Sequence, residues 1–324
     1  MPYIFDKGRP IEPGVHGEHD FVYSKGTPVP DTGASELTFE AGTGIGRAWS
    51  LVAEMPTARR EQYIGDLGGE VYVAMGDDES GSLTALEKYN PLSDSWSVLA
   101  NSLRPLEGGP DGFYDGKFYC AGGSGDNPGG DDRNVLIYDP GTDSWSEGAQ
   151  APIEVGNWSG QFIGSVMYCA GRDTNNNPVG YAYDANADSW SSIADPPFGP
   201  GNEPHGVYNG EMYVGGGKDA DVIKYDPGTD SWSTVSTHPS PSDAAVGDVD
   251  AVDGKLYQVG GDTHPKETWV YDIVNDTWSQ LEDAPVGFFD GVGTIQEGSL
   301  YCIGGKPTEN NSSVQSATAR LSIR

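Results

Sequence analysis

The chain has 324 residues, with 49 acidic against 18 basic side chains, a formal net charge of −31, and 47 glycines with 23 prolines. Such a charge repels phosphates and no Lys/Arg cluster offsets it, which argues against nucleic acid as a partner; no apolar run reaches the roughly 18 residues of a membrane helix. Aromatic and apolar residues recur at fixed places among the acids, which argues against a disordered acidic chain and leaves two ordinary domains or one large all-β domain.

Residues 1–41 are rich in Gly, Pro and charge, include His16 and His19, and match nothing downstream. They read as an N-terminal extension, loosely structured or packed on the rest. The opening MPYIFDKGRPIEPG lacks a basic start followed by an apolar stretch, so no leader peptide is expected.

From residue 42 onward the chain repeats. Trp49 stands in GRAWSLVAEMP, and Trp96 ends YNPLSDSW. YDPGTDSW then occurs word for word twice, ending at Trp145 and Trp232, with YDANADSW ending at Trp190 between them and YDIVNDTW ending at Trp278. The six tryptophans are 42 to 49 residues apart. A second signature keeps the same beat: EVYVAMG, KFYCAGG, VMYCAGR, EMYVGGG, KLYQVGG and SLYCIGG, around Tyr72, Tyr119, Tyr168, Tyr213, Tyr257 and Tyr301. Short runs of β-branched and aromatic residues closed by glycine read as strands. Asp115-Gly116, Asn209-Gly210 and Asp253-Gly254 precede three of them as hairpin turns, and the DPGTD before tryptophan is a second turn. Each repeat therefore holds four strands, and a period of 40–50 residues with four strands reads as a propeller blade.

The period, and the order Gly-Gly, Tyr, Trp, resemble the kelch repeat over about residues 42–324; MPTARREQYIGDLGGEVYVAMG (55–76) follows the kelch first-hairpin pattern. The resemblance implies an all-β, six-bladed propeller with four antiparallel strands per blade. The last repeat ends in SATARLSIR, where its third strand should finish, and Trp49 lacks the preceding Tyr and turn. The Trp49 strand is therefore expected to close the last blade, pairing edges that an open arc would expose. The repeated residues read as structural. So do Cys120, Cys169 and Cys302, whose spacing makes neither a disulfide framework nor a CxxC site and which fit buried small apolar positions.

Function is sought where the repeats disagree. Two variable loop sets, from each tryptophan to the next first strand and after each Gly-Gly, fall on one face, the expected binding face. Aligned entrances to the first strands give the ligand-binding candidates Arg59, Arg60, Glu107, Asn157, Trp158, Asn202, Glu203, His205, Asp243, Phe288 and Asp290. Arginines that grip carboxylates, amides, and aromatics that stack suit a polar ligand such as a sugar. No cofactor is expected. Asp126, Asp131 and Asp132 of the longest loop are ligand types that calcium takes, without EF-hand spacing.

Enzymatic kelch proteins set three comparisons. A galactose-oxidase-like copper site needs a histidine pair that His16, His19, His205, His238 and His264 do not offer. The iron motif of nitrile-specifier proteins is matched by Glu107 and Asp111, but Asp115 replaces its histidine. A sialic-acid-mutarotase-like site would use Arg59 or Arg60 for the carboxylate and Glu107, Glu203 or His205 as proton carriers. The first expectation is a non-catalytic scaffold binding a protein or a glycan, monomeric and not inserted in membranes; a sugar-acid isomerase working in the central funnel is the alternative.

The acidic shell also resembles that of proteins from salt-accumulating halophiles, whose cytoplasm would suit it, although a mature secreted form fits the sequence as well. Salt screens like-charge repulsion within a few ångströms at molar concentration. The melting temperature is expected to rise from millimolar to molar KCl, and a flat or falling curve in a thermal scan would remove the halophile reading.

Overall fold

Each tryptophan-spaced repeat folds into four antiparallel strands. The computed structural model describes residues 5–6, 9–10, 48–124, 133–201, 203–217, 219–311 and 313–324, with backbone alone at 5–6, 9–10 and 155–156. The chain divides into two compact units, residues 1–43 and 44–324. In the first unit, Phe5–Asp6 pairs antiparallel with Arg9–Pro10. Most of the extension, with His16 and His19, lies outside the described residues, as do Asp126, Asp131 and Asp132 of the Asp-rich loop and Asn202.

In the second unit one repeat serves as the pattern. Asp111–Tyr114, Lys117–Ala121, Val135–Asp139 and Ser144–Gly148 hydrogen-bond in that order, with tight turns between the first and second and between the third and fourth. Six such four-stranded sets occur among the described residues, the fourth and fifth linked by a single parallel pair, His205 with Asp248. The first strands are Tyr63–Leu67, Asp111–Tyr114, Val155–Ile163, His205–Tyr208, Val246–Asp250 and Val292–Gln296. Each touches the next, and the last touches the first, so the sheets close into a ring around the first strands. This is the all-β propeller that the repeat implies, and no helix occurs among the described residues, hence none long and apolar enough to cross a membrane.

The closure is the expected one. Trp49–Leu51 pairs with Thr318–Ser322 as the fourth strand of the last sheet, Trp49 opposite Leu321 and Leu51 opposite Ala319. Cores form between neighbouring sheets. Tyr63, Ala74, Leu86, Phe118, Cys120 and Tyr138, for example, pack together from the first and second sheets. Cys120, Cys169 and Cys302 are all free and buried.

At Gly260 and Gly304 the glycine after the second strand marks where the next sheet's backbone arrives. A Cβ on Gly260 would stand 2.1 Å from the carbonyl oxygen of Phe288, at φ 75°. Gly116, at φ 74°, has nothing within 4 Å of its added Cβ. Gly260→Ala is expected to cost at least about 2 kcal/mol, and Gly116→Ala about 1 kcal/mol, since only the left-handed conformation is penalised there. Urea titrations of the two variants check this; equal losses would dismiss the close approach as the reason for the glycine.

Candidate funnel site

The first strands surround a cavity of about 470 Å³ with lining residues from all six sheets. It runs from Glu61, Gly108 and Glu203 at the loop end to Asp66, Asp250, Glu297 and Arg324 at the other. A volume of this size is that of a small-molecule pocket.

The mouth is built by the loops entering the first strands. Glu61, Gly108, Ala244 and Asp290 are all left-handed, with φ of 52°, 65°, 50° and 55°. This conformation turns the chain from the loop into the funnel wall. It also strings neighbouring sheets together: the N–H of Asp290 donates to Ala244 O at 3.1 Å, Glu61 to Asp290 O at 2.8 Å, Gly108 to Glu61 O at 2.8 Å and Trp158 to Gly108 O at 3.1 Å. Three of the four carry a side chain, a strained choice of the kind that clusters at functional sites.

Electrostatics at the mouth centre on Arg60. Its guanidinium meets Glu61 Oε1 at 2.8 Å, Asp77 Oδ2 at 2.9 Å and Asp290 Oδ2 at 3.3 Å. Glu107 stands beside this group, accepting from the hydroxyls of Ser82 and Ser124, both at 3.3 Å. Burial, with Asp290 adding to it, pushes the Glu61 carboxyl up to about 7. Burial and then Asp243 likewise bring Glu203 to about 7. His205 lies against Glu203, its Nδ1 2.9 Å from that residue's carbonyl oxygen, and burial holds its pKa down.

Deeper in the wall, Asp111 Oδ2 accepts the N–H of Ile64 at 2.6 Å, and Asp248 Oδ2 that of Ile295 at 2.8 Å. Each carboxylate thereby ties its first strand to that of a neighbouring sheet. Burial pushes Asp248 up to about 8 and Asp111 well above the carboxylate range.

The sequence candidates separate on this geometry. Glu203, His205 and Trp158 line the cavity. Arg60, Glu107 and Asp290 surround its mouth through the contacts given above, and Asp243 lies behind them, its N–H held by Asp262 Oδ1 at 2.9 Å. Asn157 is exposed. Two candidates are corrected. Arg59 is completely buried, its guanidinium on the Glu87 carboxylate and on Met75 O and Ala85 O at 3.2 and 3.0 Å, so it cannot hold a ligand. Phe288 is completely buried in the core cluster of Val246, Val259 and Leu300 rather than offered for stacking. Asp66, Asp250, Glu297 and Arg324 were missed as site residues. Asp66, Asp250 and Glu297 lie at or just past the ends of first strands, where only the alternation of inward positions could have pointed to them, and Arg324 follows the third strand of the last sheet.

The raised carboxyls set a pH dependence. The folded chain keeps protons that the unfolded chain loses above about pH 4, so stability falls as pH rises from about 4 to about 8, through the folded values of Glu61, Glu203 and Asp248. The urea midpoint is expected to drop from pH 5 to pH 8. Asp248→Asn should recover on the order of 2 kcal/mol of that drop. A wild-type midpoint that rises over this range, or a slope that Asp248→Asn leaves unchanged, contradicts the assignment.

Comparison with known proteins agrees with this architecture. The Kelch motif matches residues 112–152. Kelch-like protein 15 of Danio rerio is 36% identical over 96 residues, which is 28% of this chain and 15% of that protein. Beta-scruin of Limulus polyphemus is 31% identical over 91 residues, 28% of this chain and 10% of that protein. An F-box/kelch-repeat protein of Arabidopsis thaliana is 32% identical over 77 residues, 24% of this chain and 20% of that protein. The match thus spans a fifth or less of each relative's length. Among solved structures, that of YjhT superposes with a TM-score of 0.70 at 17% identity, covering 82% of this chain and 95% of that one, a likeness of fold.

Proposed function

Starting from a chain that belongs to the kelch-repeat β-propellers, we propose that it is a binding scaffold which presents its loop-rich face, with the funnel mouth at its centre, to a protein or a glycan. The observation that carries this reading is the mouth itself. Left-handed Glu61, Ala244 and Asp290, held by bonds between sheets, fix side chains of different repeats around an open cavity. Rigid elements that hold variable side chains around a concavity are what a specific site needs. The repeated Trp and Asp residues of the outer hairpins are occupied in joining sheets.

The test is capture of a defined ligand on a glycan array, or of a purified partner by cross-linking, with wild type against Arg60→Ala and Asn157→Ala. The expected result is a ligand that wild type retains and both variants lose while circular dichroism shows both variants folded. Retention by all three would move binding off this face.

A second reading, a sugar-acid isomerase in the funnel, is favoured by one observation: two carboxyls at the cavity, Glu61 and Glu203, titrate near neutrality and could exchange protons there. Against it, Arg59 is buried, and Arg60 is already met by three carboxylates. NMR exchange between the anomers of N-acetylneuraminate, catalysed by wild type and lost in Glu203→Gln, would favour the isomerase over the scaffold.

A further inference from the structure

The charge of the funnel wall is one-sided. Among the described residues that line it, seven are carboxylic acids and one, Arg324, is a permanent cation. Arg324 is itself taken: its guanidinium meets the Asp250 carboxylate and lies 3.6 Å from Asp253 Oδ2. An anionic ligand entering the funnel would find no free cation among the described lining residues to answer it.

The acids are not merely a surface cluster. Asp111 and Glu203 are each 7% exposed and line the cavity from the second and fourth sheets, and Asp248 lines it from the fifth. Asp111 and Asp248 stand in opposite sheets of the ring and repel one another. The Asp111 carboxylate accepts the Ile64 N–H through Oδ2, and no other hydrogen bond reaches it among the described residues. At the far end Asp250, 2% exposed, has an Oδ2 that is buried and unpartnered. The Asp250 oxygen is a buried acceptor in want of a donor.

Two further features select the kind of donor. Trp158, Phe113 and Phe162 line the same cavity, and aromatic faces attract cations. Among the described residues, no three His, Cys, Asp or Glu side chains come close enough to hold a metal ion. The negative charge is spread around a wall enclosing about 470 Å³, which suits an extended organic cation.

We propose that the funnel binds the amine or guanidinium group of an organic cation, a small molecule or a side chain of the bound partner, with the carboxyl groups of Asp111, Glu203 and Asp248 as its acceptors, which ionise as the cation enters. The inference rests on the scaffold reading in that the same mouth admits the ligand, and it names the chemical class that the site takes. Guanidinium fits the geometry well, because its planar set of donors can serve two carboxylates at once.

Agmatine is the probe, titrated calorimetrically into the full chain at moderate salt beside glucuronate and sorbitol of comparable size. The expected result is saturable one-to-one agmatine binding, with neither comparator bound. Asp111→Asn and Glu203→Gln should each weaken it by about tenfold, the loss of one charge-assisted contact. Asn can still accept the Ile64 N–H, so the fold is kept, and circular dichroism verifies this. Glu309→Gln, an exposed acid away from the funnel, should leave the affinity unchanged. No saturable binding up to tens of millimolar, equal affinity in Asp111→Asn and Glu309→Gln, or preference for glucuronate overturns the proposal. If agmatine fails while a glycan or protein is captured in a manner that depends on Arg60 and Asn157, this inference falls and the scaffold reading stands. If agmatine binds as described while array and cross-linking retain nothing, the scaffold reading falls and the funnel site stands.

Discussion

Arg59→Ala is expected to lower the unfolding free energy by about 3–5 kcal/mol, the loss typical of breaking one side of a buried ion pair. The side chain is completely buried. Its Nη2 meets the Glu87 carboxylate, and its Nη1 donates to Met75 O and Ala85 O, at the turn between the second and third strands of the first sheet. Removing it leaves the Glu87 carboxylate, 1% exposed, with only Thr57 as donor: the hydroxyl at 2.6 Å and the N–H at 3.4 Å. It also takes the guanidinium donor from the carbonyl of buried Met75, while Ala85 O keeps the N–H of Met75 at 2.7 Å. The double replacement Arg59→Met with Glu87→Gln removes both charges and is expected to be milder than Arg59→Ala alone, because the uncompensated charge is the larger cost. Guanidinium chloride titrations of the two variants decide the matter. A wild-type midpoint for Arg59→Ala, or a double variant worse than the single one, would show that the pair is not what holds this corner.

Arg59 also shows where sequence reasoning ran out. An arginine at the entrance to a first strand has the composition of a ligand group and that of a buried brace alike. What separates them is Glu87, 28 residues away on the third strand. The fold was legible because its information is periodic: six tryptophans, six tyrosine-glycine strands and one missing turn fixed the strand count and the point of closure before any coordinates. The site is not periodic. The sequence pointed to Trp158, Glu203 and His205, which the structure places on the cavity wall. It pointed equally to Phe288, which turns into the core. Inward and outward alternate at every residue of a strand, so a one-residue difference in where the strand starts exchanges wall for core. The left-handed entry residues decide that start, and only glycine would have announced them; Glu61, Ala244 and Asp290 do not.

Trp145→Ala is expected to cost about 3 kcal/mol, the lower end for a large aromatic deletion because the ring is only partly buried. Its Nε1 donates to Ala100 O at 2.8 Å, and the ring lies 5.2 Å from that of Tyr138. Asp143, in the turn between these two residues, takes the N–H of the same Ala100 at 2.9 Å and the Tyr138 hydroxyl at 2.7 Å. One outer hairpin thus grips both backbone groups of a single residue leaving the preceding sheet. The grip recurs with Ala53 held by Asp94 and Trp96, Ala149 by Asp188 and Trp190, and Ala194 by Asp230 and Trp232. It loosens at Trp278, which reaches Ser236 Oγ, and at Trp49, which reaches Glu282 O without an aspartate. Trp145→Phe keeps most of the ring packing and loses the N–H, so a smaller cost of about 1 kcal/mol is expected. The Ala100 N–H, with the Tyr138 hydroxyl, holds the Asp143 carboxyl below its ordinary value. The clamp therefore contributes stability above pH 4 that is lost as pH falls through the lowered value, opposite in sign to the funnel acids. Thermal melts of the two Trp145 variants at pH 7 test the ranking, and an alanine variant that melts like wild type would refute the clamp. A residue pair that holds one sheet to the next has no freedom left for a ligand, which is why the most repeated words of the sequence say least about what the protein binds.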